Sequence, residues 1–355
     1  MYVCMYVCIY FISFFLSFLT SFSFFYYINY TQKSPPKIVY FSVWPNALLF
    51  NASLKILANE LLNGRYAIST NPPPPQYTEL YNKNDLYIVA WKEFNIPPEK
   101  IKNNSYLWQL ETPFSISVPP SEAYKEHFYK IFTYHKPSCD GKKVIYIPIP
   151  YNYDEIITDY NISKKDTLLM HVGMYGTNHH YIQRTESIRW FLENHPNDIL
   201  FYGVNWNRLK SSLSKNAKIH FDKKYGGFIP EKIKTISRAK FVLAYENKRF
   251  EDYVSEKIYD VMAAGSVPIY SGASNIKDHV PEACFIDFHK FKNHEELYTY
   301  ISTMPDETYM SYLNCIQKYM SEPEKNPNHP KKAASIILSH IRTAKSDSFM
   351  LSLFK

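Results

Sequence analysis

The chain has 355 residues, 46% hydrophobic and 21% charged, with a formal net charge of +7. That balance belongs to a globular protein able to bury a core and excludes a disordered chain, and at this length two domains divide the core more naturally than one. The positive excess suits an anionic substrate or a membrane surface, but the Lys residues are scattered along the chain rather than gathered in a basic block, which argues against nucleic acid binding.

From Met1 to Gln32 no side chain is charged. The stretch is long enough to cross a bilayer, which takes about 20 helical residues, so residues 1–32 read as a signal-anchor candidate. Serines recur in it, and the nearest positive charges, Lys33 and Lys37, follow it instead of preceding it, which leaves the orientation open. The opening MYVCMYVC is an exact four-residue repeat, as a tandem nucleotide tract would encode, which points to a misplaced start codon for part of this end. Sequons at Asn29, Asn51, Asn103 and Asn161 would accept N-glycans if the chain faced a lumen.

After residue 36, short apolar and β-branched runs predict strands at KIVYFSVW, DLYIVAW, SYLWQLE, KIFTYH and VIYIPIP. A second group follows at LLMHVGM, ILFYG, KIHF, FVLAYE, VPIY and CFIDF. Amphipathic segments of helical length lie between many of them: ALLFNASLKILANELLN, YIQRTESIRWFLEN, PEKIKTISRA and SEKIYDVMAA. The alternation predicts an α/β fold with two parallel sheets. The polar stretch at 148–166 is the best boundary, which gives domains at 37–150 and 166–322 and a helical tail at 323–355. The tetraproline Pro72–Pro75 reads as a loop inside the first half. No GxGxxG or P-loop occurs, and only nine glycines are available, so ATP and dinucleotide readings lose their main support.

Cys4, Cys8, Cys139, Cys284 and Cys315 form no CxxC pattern, so neither a zinc site nor a disulfide framework is indicated. His179 and His180 are adjacent and lack the three- or four-residue spacing of paired ligands. There is no Asp-x-Asp, the pair that many sugar-nucleotide enzymes use to hold a divalent metal, and no metal is expected.

The most informative segment is YVSEKIYDVMAAGSVPIYSG, residues 253–272. Ser255 is placed as an N-cap whose hydroxyl would accept from an orphan amide, Ile258, Val261 and Met262 have helical spacing, and Gly265 would end the helix. The strand FVLAYE feeds this helix through the loop NKRFEDY, at the carboxyl edge where open α/β sheets hold ligands. Glu256 and Lys257 then lie in the first turn. They read either as an ordinary first-turn acid beside a solvated lysine, or as part of an anion site built on the helix amino terminus.

The stretch YENKRFEDYVSEKIYDVMAAGSVPIYSGASNIKDHVPEACFIDFHKF resembles the donor-binding signature of the α-1,3-fucosyltransferases, glycosyltransferase family 10. That pattern runs FEN, a variable loop, Y-[VI]-[TS]-E-K, a helix, G-x-[VI]-P-[VI] and VP-x-x-[AS]-F-I. Tyr245 stands where Phe is usual and Ser255 where Thr is commoner. Upstream, NHHYIQRTESIRWFLENHPNDILFYGVNWN is similar to the family's Arg-led helix before a strand ending in YG, and WQLETPF to its F-E-[ST]-P element. The similarity spans about 105–320; residues 37–104 match only in general pattern.

The resemblance implies GT-B architecture, two Rossmann-like domains facing a cleft, with the donor on the second and the acceptor approached from the first. It implies inverting transfer of L-fucose from GDP-fucose to a glycan hydroxyl, such as O3 of N-acetylglucosamine. Glu111 would be the general base, and Arg184 and Lys257 would neutralise the diphosphate without a metal or other cofactor. Asn247 and Tyr253 would contact the nucleotide diphosphate, and Glu256 would accept from donor hydroxyls. The residues also allow blander roles: Glu111 as a solvated strand end, Arg184 paired with Glu186 or Glu193 with Arg189 as its substitute, and Tyr253 as core packing. Competing functions are an inverting GT-B transferase for another nucleotide sugar and an inactive glycan-binding relative. Retaining members of that fold carry two glutamates with seven residues between them, whereas nine separate Glu246 from Glu256. Partners would be GDP-fucose, a glycan or glycoprotein acceptor and a membrane. The expected location is the Golgi membrane with a lumenal catalytic part, or the cytoplasm for a bacterial or viral chain.

Overall fold

Two separate β-sheets, every strand of each parallel to its neighbours, carry the molecule. The structure, a computed structural model, describes residues 37–42, 66–69, 86–90, 105–109, 125–151, 156–157, 160, 162–176 and 181–353. Residues 1–32, the four sequons, Pro72–Pro75, the candidate helix at 47–63, His179, His180 and Glu111 lie outside the described residues.

The first sheet contains β1 (Lys37–Ser42), β2 (Tyr66–Ser69), β3 (Leu86–Ala90), β4 (Ser105–Gln109), β5 (Lys130–Thr133) and β6 (Val144–Tyr146), in the order β2-β1-β3-β4-β5-β6. The second holds β7 (Thr167–Val172), β8 (Ile199–Tyr202), β9 (Ala239–Tyr245), β10 (Val267–Ser271) and β11 (Ile286–Asp287), in the order β11-β10-β9-β7-β8. In both, the second strand in the chain returns to the outside of the first and the third pairs on its other side, which creates a topological switch point between two neighbouring strands. In the second sheet that point lies between β7 and β9.

β9 is central in its sheet, and six of its seven residues are buried. Helix α1 (Ile182–Asn194) buries Ser187, Ile188, Phe191 and Leu192. Each fully buried large apolar side chain contributes about 1.5–3 kcal/mol, so the second half has an ample core of its own.

Ten of the eleven predicted strands form. The exception is KIHF, which lies inside α2 (Lys215–Lys224). Ser214 accepts from the Ala217 amide as an N-cap, and Ala217 and Phe221 are the buried residues, four apart on one helical face, while Ile219 is 55% exposed. The strand β2, YAIS, has no predicted counterpart, because four residues with a single aliphatic carry too little periodic signal. PEKIKTISRA yields the short helix α3 (Lys232–Ile236), and SEKIYDVMAA yields α4 (Glu256–Ala263).

Three helices close the chain: α5 (His294–Ser302), α6 (Asp306–Ser321) and α7 (Pro330–Leu353), the last occupying most of the expected tail. The His340 ring of α7 packs edge-on against Phe132 of β5 at 5.9 Å, so the last helix reaches back to the first sheet. Cys284 and Cys315 form a disulfide with Cα atoms 5.1 Å apart, joining the turn before β11 to α6. This corrects the reading that no disulfide is indicated. The two cysteines are 31 residues apart and belong to no spacing motif; only tertiary packing brings them together.

Candidate functional site

At the carboxyl ends of β7 and β9, where the second sheet's order reverses, lies a cavity of about 440 Å³. Arg184, Asn247, Glu256 and Lys257 all line it. Its floor is tightly built: Gly203 has φ +122°, and a Cβ there would lie 1.9 Å from the Gly173 carbonyl oxygen, so the loops leaving β7 and β8 meet backbone to backbone. Trp206 Nε1 donates to the same Gly173 oxygen at 2.7 Å.

Arg184 comes from the first turn of α1 and is only 4% exposed. Its Nη2 donates to the Tyr245 carbonyl at 3.0 Å and to Asn247 Oδ1 at 3.1 Å, and its guanidinium lies over the Tyr181 ring at 4.9 Å. No carboxylate of its own helix bonds it among the described residues; Arg189 instead donates outward to Ser212. Burial lowers the Arg184 pKa, countered in part by Tyr181 and Glu246. A guanidinium remains charged under such a shift. Its Nε is buried with no partner among the described residues, which leaves donor capacity at a cavity wall.

The amino end of α4 is held by a carboxylate ten positions earlier in the chain. Glu246, just after β9, has a fully buried side chain that accepts from the Ser255 amide at 2.8 Å, from Ser255 Oγ at 2.7 Å and from Lys257 Nζ at 3.1 Å. Ser255 does occupy the N-cap position with extended backbone, but its hydroxyl makes no capping bond. It donates to Glu246 and accepts from the Lys257 ammonium, a charge-assisted partner, instead of from a helix amide. Lys257 Nζ also donates to Ser255 Oγ at 2.8 Å and lies 3.5 Å from Glu256. Burial opposes the lysine charge, but Glu246 and Glu256 outweigh it and raise the pKa above the usual lysine range. The neighbouring ammonium groups of Lys257 and Lys232 bring the Glu256 pKa down to about 2. Its side chain is 55% exposed at the head of the helix. At neutral pH, therefore, the cavity presents a guanidinium and an ammonium beside an ionised carboxylate. Lys232 adds a further cation on the lining, bonded to Asp260 at 2.5 Å.

His171, at the end of β7, also lines the cavity. Its Nδ1 lies 3.3 Å from the Leu243 carbonyl, which assigns the proton to Nδ1 and leaves Nε2, buried and unpartnered among the described residues, as an acceptor. Burial and the nearby Arg184 lower its pKa to about 3 and keep it neutral. The lining also includes exposed apolar side chains: Met174, Val204 and Phe228 are 39%, 43% and 75% exposed.

Four of the six residues singled out from sequence thus converge on one cavity. Tyr253 does not line it; it is 2% exposed, with its ring against Tyr134 from beyond β5 at 5.3 Å. Glu111 lies outside the described residues. Sequence reading missed His171 and Lys232 on the lining and Glu246 as the anchor of the helix. The pattern around Glu246 was visible as Y-E-N, but its partners depend on the loop folding back. Among the described residues no cluster of three His, Cys, Asp or Glu could hold a metal ion, and no helix is long and apolar enough to cross a membrane.

Parallel sheets with Arg184, Lys232 and Lys257 on a cavity at a switch point define an α/β protein whose cavity could accept an anionic group at strand carboxyl ends. The family profile described as "Glycosyltransferase family 10 (fucosyltransferase) C-term" matches residues 172–348, and the chain belongs to that family. It is 26% identical over 258 residues to the 4-galactosyl-N-acetylglucosaminide 3-alpha-L-fucosyltransferase 9 of Mus musculus, covering 66% of this chain and 61% of that protein. The Homo sapiens protein of that name matches to the same extent. The chain therefore spans about three fifths of the length of these relatives. An alpha-(1,4)-fucosyltransferase of Arabidopsis thaliana is 47% identical over 72 residues, 20% of this chain and 18% of its own. In fold, the chain is similar to the crystal structure of an alpha1,3-fucosyltransferase, with a TM-score of 0.54 at 16% identity over 81% of this chain and 83% of that one. It is also similar to a trehalose-phosphate synthase from Burkholderia vietnamiensis, with a TM-score of 0.60 at 10% identity over 89% and 99%.

Proposed function

We propose that the protein is an inverting α-1,3-fucosyltransferase that moves L-fucose from GDP-fucose to a glycan hydroxyl, O3 of an N-acetylglucosamine. The observation that carries the reading is the meeting of Arg184 and Lys257, from helices separated in the chain, on one cavity at the switch point. A nucleoside diphosphate sugar has an anionic centre between a planar base and a polar sugar. The cavity lining offers both kinds of surface, the cations Arg184, Lys232 and Lys257 and the exposed apolar side chains of Met174, Val204 and Phe228. In this reading the cation pair stabilises GDP as the bond from C1 to the diphosphate oxygen breaks, Arg184 by its fork of donors and Lys257 as a point charge. Asn247, already bonded to Arg184, fixes that fork, and Glu256 accepts from donor hydroxyls. Tyr253 supports the diphosphate site from behind, through the loop that it anchors. Glu111 takes the proton from the acceptor hydroxyl, a role that contributes typically about 10² to 10⁴ in rate. The domains at 37–150 and 166–322 would take acceptor and donor respectively.

The expected site is the Golgi lumen, with residues 1–32 as membrane anchor. The Cys284–Cys315 pair supports an oxidising compartment.

The test is incubation of the full chain with a glycan acceptor and a panel of radiolabelled nucleotide sugars. Transfer from GDP-fucose alone is expected; transfer from a different nucleotide sugar, or glycan binding without turnover, would replace the reading with one of its competitors. Within it, Glu111→Gln is expected to keep GDP affinity and abolish turnover, and loss of GDP binding in that variant would contradict its role as base.

A further inference from the structure

The loop between β9 and α4 has a second attachment, on the side away from the cavity. Asp252 is 4% exposed and holds the left-handed backbone conformation, φ 60°. Its Oδ2 accepts from the Lys136 amide, just beyond β5 of the first sheet, at 3.0 Å. Its Oδ1 accepts from Asn275 Nδ2 at 2.8 Å and lies 3.5 Å from His279 Nε2, while its own amide donates to Asn275 Oδ1 at 2.9 Å. One carboxylate thus ties three chain segments that belong to two sheets. Aromatic contacts extend the join: Phe250 packs on His135 at 4.9 Å and on Tyr134 at 6.3 Å, beside the Tyr253–Tyr134 contact. Behind it, His279 Nδ1 lies 3.4 Å from Asn328 Oδ1, and Asn328 Nδ2 donates to the Ile149 carbonyl, in the stretch linking the sheets, at 2.6 Å.

We propose that Asp252 is a positioning residue for group transfer: it pins the loop that carries the cavity's helix α4 to the carboxyl end of β5, and so holds the first sheet in register with a donor bound on the second. The proposal rests on the fucosyltransferase reading. β4 and β5 are parallel neighbours with Gln109 beside Thr133, and the proposed base follows Gln109 by two residues in the chain. The alternative role of Asp252, a purely local stabiliser of a strained loop, would need only the Asn275 contacts. The Lys136 contact does nothing for the loop's own turn and everything for its relation to β5. Displacements of about 1 Å away from reacting atoms commonly lower rates by about 10²-fold, which sets the size of the effect.

The test compares wild type, Asp252→Ala and Lys136→Pro in the full chain. The proline removes the amide donor, at the first position of a short 3-10 turn where proline is tolerated, together with the lysine side chain, whose ammonium lies 5.9 Å from the Tyr146 ring. Lys136→Ala, which keeps the amide, is the control that separates the two losses and isolates the join if Asp252→Ala fails to fold. Three quantities are read: hydrogen exchange of peptides covering 133–139 and 248–254, GDP affinity by calorimetry, and kcat for transfer from GDP-fucose. Exchange at least about tenfold faster in both peptides is expected in Asp252→Ala, and in 248–254 in Lys136→Pro. In both variants kcat should fall by about 10- to 100-fold while GDP affinity stays within about threefold. Unchanged exchange, or GDP affinity falling in step with kcat, would overturn the proposal. If wild type neither binds GDP nor transfers fucose, the fucosyltransferase reading fails, and exchange in the variants alone decides whether the join exists.

Discussion

Glu246 gathers three donors from the first turn of α4 into a carboxylate that solvent does not reach. Removing its charge leaves Lys257 without its nearest counter-ion and puts amide hydrogens against groups that donate. Glu246→Gln is therefore expected to lose about 1–3 kcal/mol of stability in urea unfolding, and a change within about 0.3 kcal/mol would contradict this anchoring role. His171 gives a pH dependence of definite sign. Its ordinary pKa of 6.5 drops to about 3 in the folded protein, so between those values the unfolded chain binds a proton that the native state does not. Stability from this residue is complete above about pH 6.5 and declines as the pH falls toward 3, by up to about 1.4 kcal/mol per pH unit. Urea midpoints measured from pH 7 to 4.5 should fall more steeply in wild type than in His171→Asn; parallel slopes would exclude the buried neutral imidazole.

Among the elements, α4 was the most legible in sequence, because its end signals act locally. Gly265 has φ +65°, its amide donates to the Met262 carbonyl, and the Ser266 amide donates to Val261, a closure that glycine alone makes without strain. The amino end was read half correctly: Ser255 stands at the cap, but its hydroxyl serves Glu246, a partner across the loop that no local rule could supply. KIHF was misread because a four-residue window cannot separate strand alternation from a helix that buries positions four apart. The Cys284–Cys315 bridge was invisible for the same reason on a longer scale: its closure depends on where α6 docks. With the cysteines 31 positions apart, chain-entropy arguments give about 3–4 kcal/mol for this cross-link. Reducing it should lower the urea stability by about that amount, and an unchanged midpoint after confirmed reduction would show that α6 holds the turn without it.

At the scale of the whole molecule, two parallel sheets meet through a loop, a linking stretch and a returning helix. The anion-seeking charges are concentrated at one switch point, although the net charge of +7 is spread along the chain. This architecture was predictable from the alternation of strands and helices, whereas the join between the sheets was not, since Lys136 and Asp252 are 116 positions apart. The central proposal concerns the cavity: Arg184 and Lys257 would together hold a pyrophosphate. The most direct measurement is calorimetric titration of wild type, Arg184→Ala and Lys257→Ala with GDP and with guanosine, at one fixed salt concentration. Each substitution should weaken GDP at least about tenfold and leave guanosine nearly unchanged, because only the charged group is lost. GDP binding equal to wild type in both variants, or parallel losses for GDP and guanosine, would contradict a pyrophosphate held by these two side chains.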